Sequence, residues 1–386
     1  MPQEEQATYK SAKMDARRSG FRGQVAAACQ QQQRDDMETA LVLQGGGALG
    51  AYELGVMRRL AKEPWFPPDI VTGVSIGAIN AALLVGGRGD GLEALEEAWR
   101  RLAMDLPPFL PTEVKEAAAD FGNPNFYFAR TDVLNAYRWT FLYYVDPLQR
   151  LLSELIDFDK LNGLKAPKLV LTAVDVESGS DETFVNCQAA KALDPPTIGI
   201  TTVEHILASG ALPPSFPMAT IDGRRYWDGG VFSNTPMSEA INCFGTKKPK
   251  LLVVVNLFRN AGGIPENWQE VGSRFLEILF SNKFTADLKL AQKYNDFVVM
   301  MAKIRREYPE MDRKLGDDPG WKRMRQYDKI HPLVIGPSAD SREVMEGGHN
   351  FSRDVLKERA DLGHHDAEKV LSNDDEYRTM VRCFVR

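Results

Sequence analysis

The sequence predicts an α/β fold: a mainly parallel sheet with helices packed on it, followed by a mostly helical C-terminal extension. Two observations predict it. An apolar strand at Ala40–Gln44 stops abruptly in Gly45-Gly46-Gly47 and leads into a helix, and the pattern returns at Asp69–Val74, Ser75 and Ile76–Val85. Repeated strand–turn–helix units build parallel sheets, because the helix carries the chain back to the end where the strand began. Beyond Asn260-Ala-Gly-Gly-Ile-Pro265 the texture changes to long, charged stretches of helical period.

Taken in order, residues 1–38 are polar and glutamine-rich and read as a tail. After the first strand, Leu49–Lys62 reads as a helix with Leu49, Val56, Met57 and Leu60 inward. Residues 91–165 read as largely helical, broken by Pro107, Pro108 and Pro111, with aromatics crowded over Phe121–Tyr144 and an amphipathic helix over Asp146–Phe158. Strands follow at Lys168–Val176 and Thr183–Asn186, then a helix at Val203–Ser209. The prolines of Ala211–Pro217 exclude regular structure there, and Asp222-Gly223 is suited to the type I′ turn of a hairpin. Helix Met237–Cys243 and strand Lys250–Leu257 close the first region. Long helices over about 267–306, a Gly-Asp-Asp-Pro-Gly break at 316–320, a strand at His331–Ile335 and a last helix from about 352 complete the chain. The expected organisation is a tail (1–38), a catalytic domain (39–260) and an extension packed on it (261–386).

Composition narrows the function. The 386 residues carry 47 basic and 53 acidic side chains, a net charge of −6, so a nucleic acid is not expected as a partner. The four cysteines, Cys29, Cys187, Cys243 and Cys383, lie too far apart for a structural metal site or a disulfide framework, and a cytoplasmic location fits them. No run of about 18 apolar residues predicts a membrane span, and the N-terminal residues lack the apolar core of a secretory signal.

Two glycine motifs carry the chemistry. Gly45-Gly-Gly-Ala-Leu-Gly50 satisfies G-x-G-x-x-G, the dinucleotide fingerprint. That reading needs an acid at the end of the next strand for the ribose hydroxyls, whereas Asp69 stands at its start. Gly73-Val74-Ser75-Ile76-Gly77 is a G-x-S-x-G between strand and helix, the pattern of a strained turn that exposes a nucleophilic serine. Gly73 and Gly77 leave room for strand and helix to cross closely. Acyl transfer also needs amide donors for the oxyanion, and Gly45, Gly46 and Gly47 can offer backbone N–H groups unobstructed by side chains.

A serine needs a base. A conventional triad can be drawn with Asp175 and His331 or His349, but neither histidine follows a late strand; His205 reads as an ordinary helix residue. Asp228 is the better candidate, because Gly229 and Gly230 behind it let backbone and serine approach its carboxylate. A carboxylate at its ordinary pKa of about 4 is a weak base for a hydroxyl, and partial burial with a raised pKa would help it.

These blocks, with Ala208-Ser-Gly-Ala-Leu-Pro-Pro-Ser-Phe-Pro217, occur in an order that closely resembles the patatin-like phospholipases over about residues 40–257. The resemblance implies a three-layer α/β/α hydrolase with a Ser75–Asp228 dyad, no catalytic histidine, no metal and no cofactor. It implies that Ser75 attacks the acyl carbonyl, Asp228 acts as base and Gly45–Gly47 hold the oxyanion. The substrate implied is a phospholipid or related acyl lipid. A smaller ester or thioester, or lipid binding without catalysis, are the alternatives. Many members carry Arg or Lys where this chain has Leu49. The aromatics between Phe121 and Tyr144 can line an acyl pocket, form a mobile cap or make the core of a helical subdomain. Lys303–Arg306, Trp321 and Lys322–Arg325 can touch anionic headgroups, giving peripheral membrane contact, or form a solvated face. Homo-oligomerisation is left open.

Overall fold

The computed structural model describes residues 37–105, 107, 109, 123–186, 198–200, 202–245, 249–258, 264–265, 268–325, 328–338, 341, 343–345 and 347–385. Strand β1 (Glu38–Leu43) passes through a 3-10 turn into helix α1 (Gly50–Leu60), and β2 (Ile70–Gly73) passes through Ser75 into α2 (Ile76–Gly86). Helix α3 (Gly91–Leu102) starts at Asp90, whose carboxylate accepts from the N–H groups of Leu92 at 2.8 Å and Glu93 at 3.2 Å. A short antiparallel ribbon of β3 (Phe128–Ala129) and β4 (Tyr143–Tyr144) encloses a 3-10 segment at Val133–Arg138. The chain then forms α4 (Asp146–Leu155), α5 (Phe158–Leu161), β5 (Lys168–Asp175), β6 (Asp181–Val185), β7 (Ile198–Gly199) and α6 (Val203–Ser209). Next come β8 (Ala219–Ile221), β9 (Arg224–Asp228), α7 (Met237–Cys243) and β10 (Lys250–Val255). The remainder holds α8 (Trp268–Glu307), α9 (Pro309–Lys314), α10 (Pro319–Met324), β11 (Ile330–Ile335), α11 (Arg353–Asn373) and α12 (Asp375–Val385).

The main sheet has the order β11-β10-β1-β2-β5-β6-β7, and its first five strands are parallel. Because side chains alternate along a strand, each strand feeds both faces. Leu41 and Leu43 of β1, with Leu251, Val253 and Val255 of β10, pack into a core shared with α1, α2, α3 and α11. Ala40 and Val42, with Leu252 and Val254, pack on the other face against Met237 and Ala240 of α7 and Phe284 and Ala291 of α8. This is the three-layer α/β/α arrangement with a mainly parallel sheet. The chain beyond residue 260, expected as a packed extension, also returns β11 to the sheet edge beside β10.

One register decides where the site forms. β2 pairs with β5 only as far as Gly73 and Leu171. Beyond that point one edge of β5 is occupied by β6, which takes Ala173 and Val174. β9 therefore pairs with Ala173–Asp175 along the edge that β2 has vacated, and Asp228 lies opposite Ala173, two residues past the level of Gly73. That is the level of Ser75.

Several expectations are corrected. Residues 91–165, expected as largely helical with interruptions, hold a strand ribbon instead over the aromatic stretch: Leu142 and Tyr143 donate their N–H groups to the Pro214 and Ser215 carbonyls rather than within a helix. Glu38, counted with the tail, begins β1 and is buried, its carboxylate accepting from Gly245 N–H at 2.8 Å. The last helix is two helices, divided where the Asp374 carboxylate accepts from Tyr377 N–H at 2.7 Å and starts α12. Trp321 is buried and donates to Asp312 Oδ1 at 2.8 Å, so it is no surface anchor. Residues 1–36, Phe121, Cys29 and Cys187 lie outside the described residues. No described helix is long and apolar enough to cross a membrane.

Candidate active site

Three chain segments meet at the C-terminal end of the central strands, beside β1, where the connection from β1 leaves toward β2 and that from β10 leaves the other way, toward β11. Such a divergence opens a crevice in parallel sheets. The first segment is the elbow. Ser75 adopts φ 56° and ψ −126°, a conformation that L residues other than Gly rarely hold and that is maintained only when its surroundings require it. Its N–H donates to the Ser209 carbonyl at 2.9 Å and lies 3.3 Å from Ser209 Oγ. Ser209 Oγ in turn donates to the Thr172 carbonyl at 2.7 Å. The elbow also needs its glycines: a Cβ on Gly73 would lie 2.4 Å from the Gly77 carbonyl, and one on Gly77 would lie 2.6 Å from the Leu43 and Gln44 carbonyls.

The second segment carries Asp228. Its own N–H donates to the Ala211 carbonyl at 3.0 Å, and its Oδ1 accepts from Gly230 N–H at 2.7 Å. The residue is buried. Burial pushes its pKa up to about 7, against the opposing pull of the Ser75 side chain and the Gly230 N–H. Gly229 is pressed onto β5, where a Cβ would stand 2.4 Å from the Thr172 carbonyl.

The third segment is the glycine loop. A Cβ on Gly45 would fall 2.8 Å from Ser75 Cβ, so the loop lies directly against the elbow. Gly47 has φ +58°. Among the described residues, no acceptor takes a hydrogen bond from the N–H of Gly46 or Gly47, whereas Ala48 N–H donates to the Gly348 carbonyl at 2.7 Å. Amides held by their backbone and without an acceptor can receive a developing negative charge. Leu49 is buried and brings no cation to the loop.

The loop is braced by side chains that the motif reading did not single out. Asn234 Nδ2 donates to the Gly45 carbonyl at 3.0 Å. Gln44 Nε2 donates to Thr235 Oγ1 at 2.6 Å, and Gln44 Oε1 accepts from Leu257 N–H at 2.7 Å. Behind them Glu53 Oε1 accepts from Gln44 N–H at 2.8 Å, Glu53 Oε2 accepts from Asn80 Nδ2 at 2.8 Å, and Asn80 Oδ1 accepts from Trp99 Nε1 at 2.9 Å. Burial raises the Glu53 carboxyl to about 8, against its bonds to Asn80 and Gln44. The run Ser-Asn-Thr-Pro after Asp228-Gly-Gly was the available signal for Asn234 and Thr235. Glu53 and Asn80 carried none, since polar residues inside helices read as surface.

Of the alternative base partners, Asp175, His331 and His205 are engaged elsewhere. Asp175 accepts from the N–H groups of Glu177 and Ser178 and from Arg224. His331 faces Asp374 at 3.3 Å and Glu376 at 3.5 Å. His205 packs edge-on against Phe184, and burial lowers its pKa. His349 is carried to this end of the sheet, since its neighbour Gly348 touches the glycine loop. Asp69, weighed for a ribose, accepts from Thr39 N–H at 3.0 Å at the opposite end of the strands. Among the described residues, no cluster of three or more His, Cys, Asp or Glu side chains is placed to hold a metal ion.

VipD from Legionella pneumophila is 13% identical, with a TM-score of 0.35, over 87% of this chain and 67% of that one. Human GIVD cytosolic phospholipase A2 is 14% identical, with a TM-score of 0.43, over 99% of this chain and 65% of that one. ExoU, in its complex with SpcU from the type III secretion system of Pseudomonas aeruginosa, is 16% identical, with a TM-score of 0.30, over 90% and 57%. This chain thus spans about two thirds or less of the length of these proteins. A comparison with curated protein sequences found no match. Residues 41–241, over half of the chain, match the model of the patatin-like phospholipases. That span contains the glycine loop, the elbow and Asp228, and the chain belongs to the patatin-like phospholipase family.

Proposed function

We propose that this chain is a serine lipid acyl hydrolase that cleaves carboxylic ester bonds of phospholipids or related acyl lipids with Ser75 and Asp228. The observation that carries this reading is the strained Ser75 elbow at the level of a buried Asp228, whose pKa burial pushes up to about 7. A base poised near the working pH is the condition for efficient proton transfer. Ser75 Oγ attacks the acyl carbon as its proton passes to the Asp228 carboxylate. The oxyanion that forms is received by the amides of Gly45–Gly47. When the ester C–O bond breaks, the Asp228 carboxyl returns the proton to the departing alcohol. A water molecule then gives its proton to Asp228 and attacks the acyl-Ser75 ester, and Ser75 leaves with that proton restored.

Peripheral contact with a lipid surface is supported by the ribbon: Val133, Leu134 and Tyr137 are largely exposed, and Phe128 and Leu142 partly so. The ribbon is bonded to Pro214 and Ser215, on the segment whose Ala211 carbonyl accepts from Asp228 N–H. Apolar side chains in such number beside a site favour an apolar partner.

Hydrolysis of p-nitrophenyl esters of graded chain length and of phospholipid vesicles tests the reading. The proteins compared are wild type, Ser75→Ala, Asp228→Asn and His349→Ala, with folding followed by circular dichroism. Loss in folded Ser75→Ala and Asp228→Asn with activity kept in His349→Ala supports the dyad. Activity kept in Asp228→Asn and lost in His349→Ala replaces the base. Preference for short soluble esters over long esters and vesicles assigns a small-ester esterase instead, and no turnover by wild type leaves lipid binding.

A further inference from the structure

The glycine loop is touched from outside its own domain half. The Gly347–Asn350 turn, just before α11, sets the Gly348 carbonyl 2.7 Å from Ala48 N. The approach is so close that a Cβ on Gly47 would lie 2.4 Å from that carbonyl oxygen, and one on Gly348 would lie 2.9 Å from the Gly46 carbonyl. Backbone meets backbone here, with no side chain to absorb a shift.

The turn is itself clamped. Arg359 of α11 has no exposed surface. Its Nε donates to the Val344 carbonyl at 2.9 Å, Nη2 to Gly347 at 3.0 Å and Nη1 to Asn350 at 3.3 Å. A fully buried guanidinium is retained only where its fork of donors is matched, and the carbonyls of Gly347 and Asn350 in the turn and of Val344 just before it match it. On the far side Phe351 stacks on Trp99 at 6.2 Å, and Trp99 donates to Asn80 in the network behind Gln44. The helix bearing Arg359 cannot drift relative to the loop. A Cβ on Gly55 of α1 would stand 1.8 Å from the Ala360 carbonyl, and one on Gly363 would stand 2.1 Å from that of Tyr52.

We propose that the Gly347–Asn350 turn, held by Arg359 as a positioning residue, sets the direction of the Gly46 and Gly47 amides and so completes the oxyanion hole. The proposal rests on the oxyanion role of the glycine loop given above. It assigns the C-terminal segment a part in catalysis: the segment supplies the brace for a loop that carries no cation of its own. The turn stabilises the transition state more than the bound ester, because the carbonyl oxygen moves toward the amides as the carbon becomes tetrahedral.

The test uses Arg359→Lys and Gly348→Ala in the full chain, with kcat and KM for p-nitrophenyl butyrate and the Ki of a trifluoromethyl ketone of the same acyl length. The ketone forms a tetrahedral adduct with the serine and so reports on the oxyanion hole. The expected result is a loss of about 10- to 100-fold in kcat, since a misplacement of about 1 Å costs on that order, with KM within about two-fold. The Ki should rise by the factor by which kcat/KM falls. Tyr377→Phe, which removes buried bonds to Trp65 and Glu63 far from the loop, serves as the structural control and leaves all three constants unchanged. Wild-type kcat and Ki in the folded variants overturn the proposal; if Arg359→Lys does not fold, Gly348→Ala decides alone. Gly47→Ala separates the two readings. Activity lost there but kept in the other variants removes only the brace, whereas activity kept in all of them removes the oxyanion loop itself.

Discussion

The glycine-lined end of the sheet and the aromatic ribbon over residues 128–144 are joined through Ala211–Pro217, yet they are held by different kinds of contact. At the site, backbone abuts backbone: Gly73 on Gly77, Gly77 on Leu43, Gly229 on Thr172 and Gly47 on Gly348. In the ribbon, side chains hold one another. Arg130 lies 4.8 Å from the Trp139 ring and 4.6 Å from that of Phe141, Tyr127 meets Tyr143 edge-on at 4.8 Å, and Phe126 meets Phe216 at 5.9 Å. Backbone contacts have no rotamers to explore, so they hold reacting groups within tenths of an ångström. Side-chain contacts can exchange rotamers at modest cost and suit a surface that meets varied apolar shapes.

The contrast is most sharply tested at the dyad. Ser75→Ala and Asp228→Asn are each expected to lower kcat by about a thousandfold or more, read from steady-state ester hydrolysis. In wild type, kcat/KM should rise with pH through about 7, as Asp228 ionises. The stability effect has the opposite sign. Asp228 is raised above its unfolded value of about 4, so its contribution is complete below that value and is lost as pH rises through about 7. Thermal melts should therefore show Asp228→Asn gaining on wild type between pH 4 and 8. A flat difference would remove the burial argument.

Gly73→Ala comes next. Its Cβ would stand 2.4 Å from the Gly77 carbonyl, and a destabilisation of about 3 kcal/mol or more is expected in urea unfolding. In the ribbon a whole side chain should matter less than that single methyl. Arg130→Ala removes the cation over Trp139 and Phe141 and should lower the urea midpoint less than Gly73→Ala does, with turnover of a short soluble ester kept within about two-fold. The smallest effect on the fold is expected from Leu134→Ser, at a side chain 92% exposed. Stability should change by no more than about 0.5 kcal/mol, while co-sedimentation with phospholipid vesicles should fall several-fold. Unchanged vesicle binding would separate the ribbon from any role at a lipid surface.

Much of the sheet and its motifs was legible without coordinates, because local patterns carried them. The run Ala40–Leu43 ends in three glycines, Gly73 and Gly77 flank a serine at a strand–helix junction, and Asp222-Gly223 turns the hairpin with φ 49° and 83°. The ribbon was misread because its aromatics follow neither a period of 2 nor one of 3.6, and its ties run to Pro214 and Ser215, over 70 residues away. Trp321 was misread for a similar reason: its partner Asp312 is local, but burial depends on what packs over it.

By itself the sequence determined which residue types stand at the ends of strands: a serine with room for a strained turn, glycines with exposed amides, and an aspartate before two glycines. These are local properties, set by sterics within a few residues. Only the tertiary structure decided that Asp228 would be level with Ser75, because that depends on β6 filling one edge of β5 and β2 ending at Gly73 to free the other. It also decided that β11 would join the sheet, and that the Gly348 carbonyl and the Arg359 clamp would reach the glycine loop from some 300 residues along the chain. Such contacts have no local signature, since each is selected by the packing of whole elements.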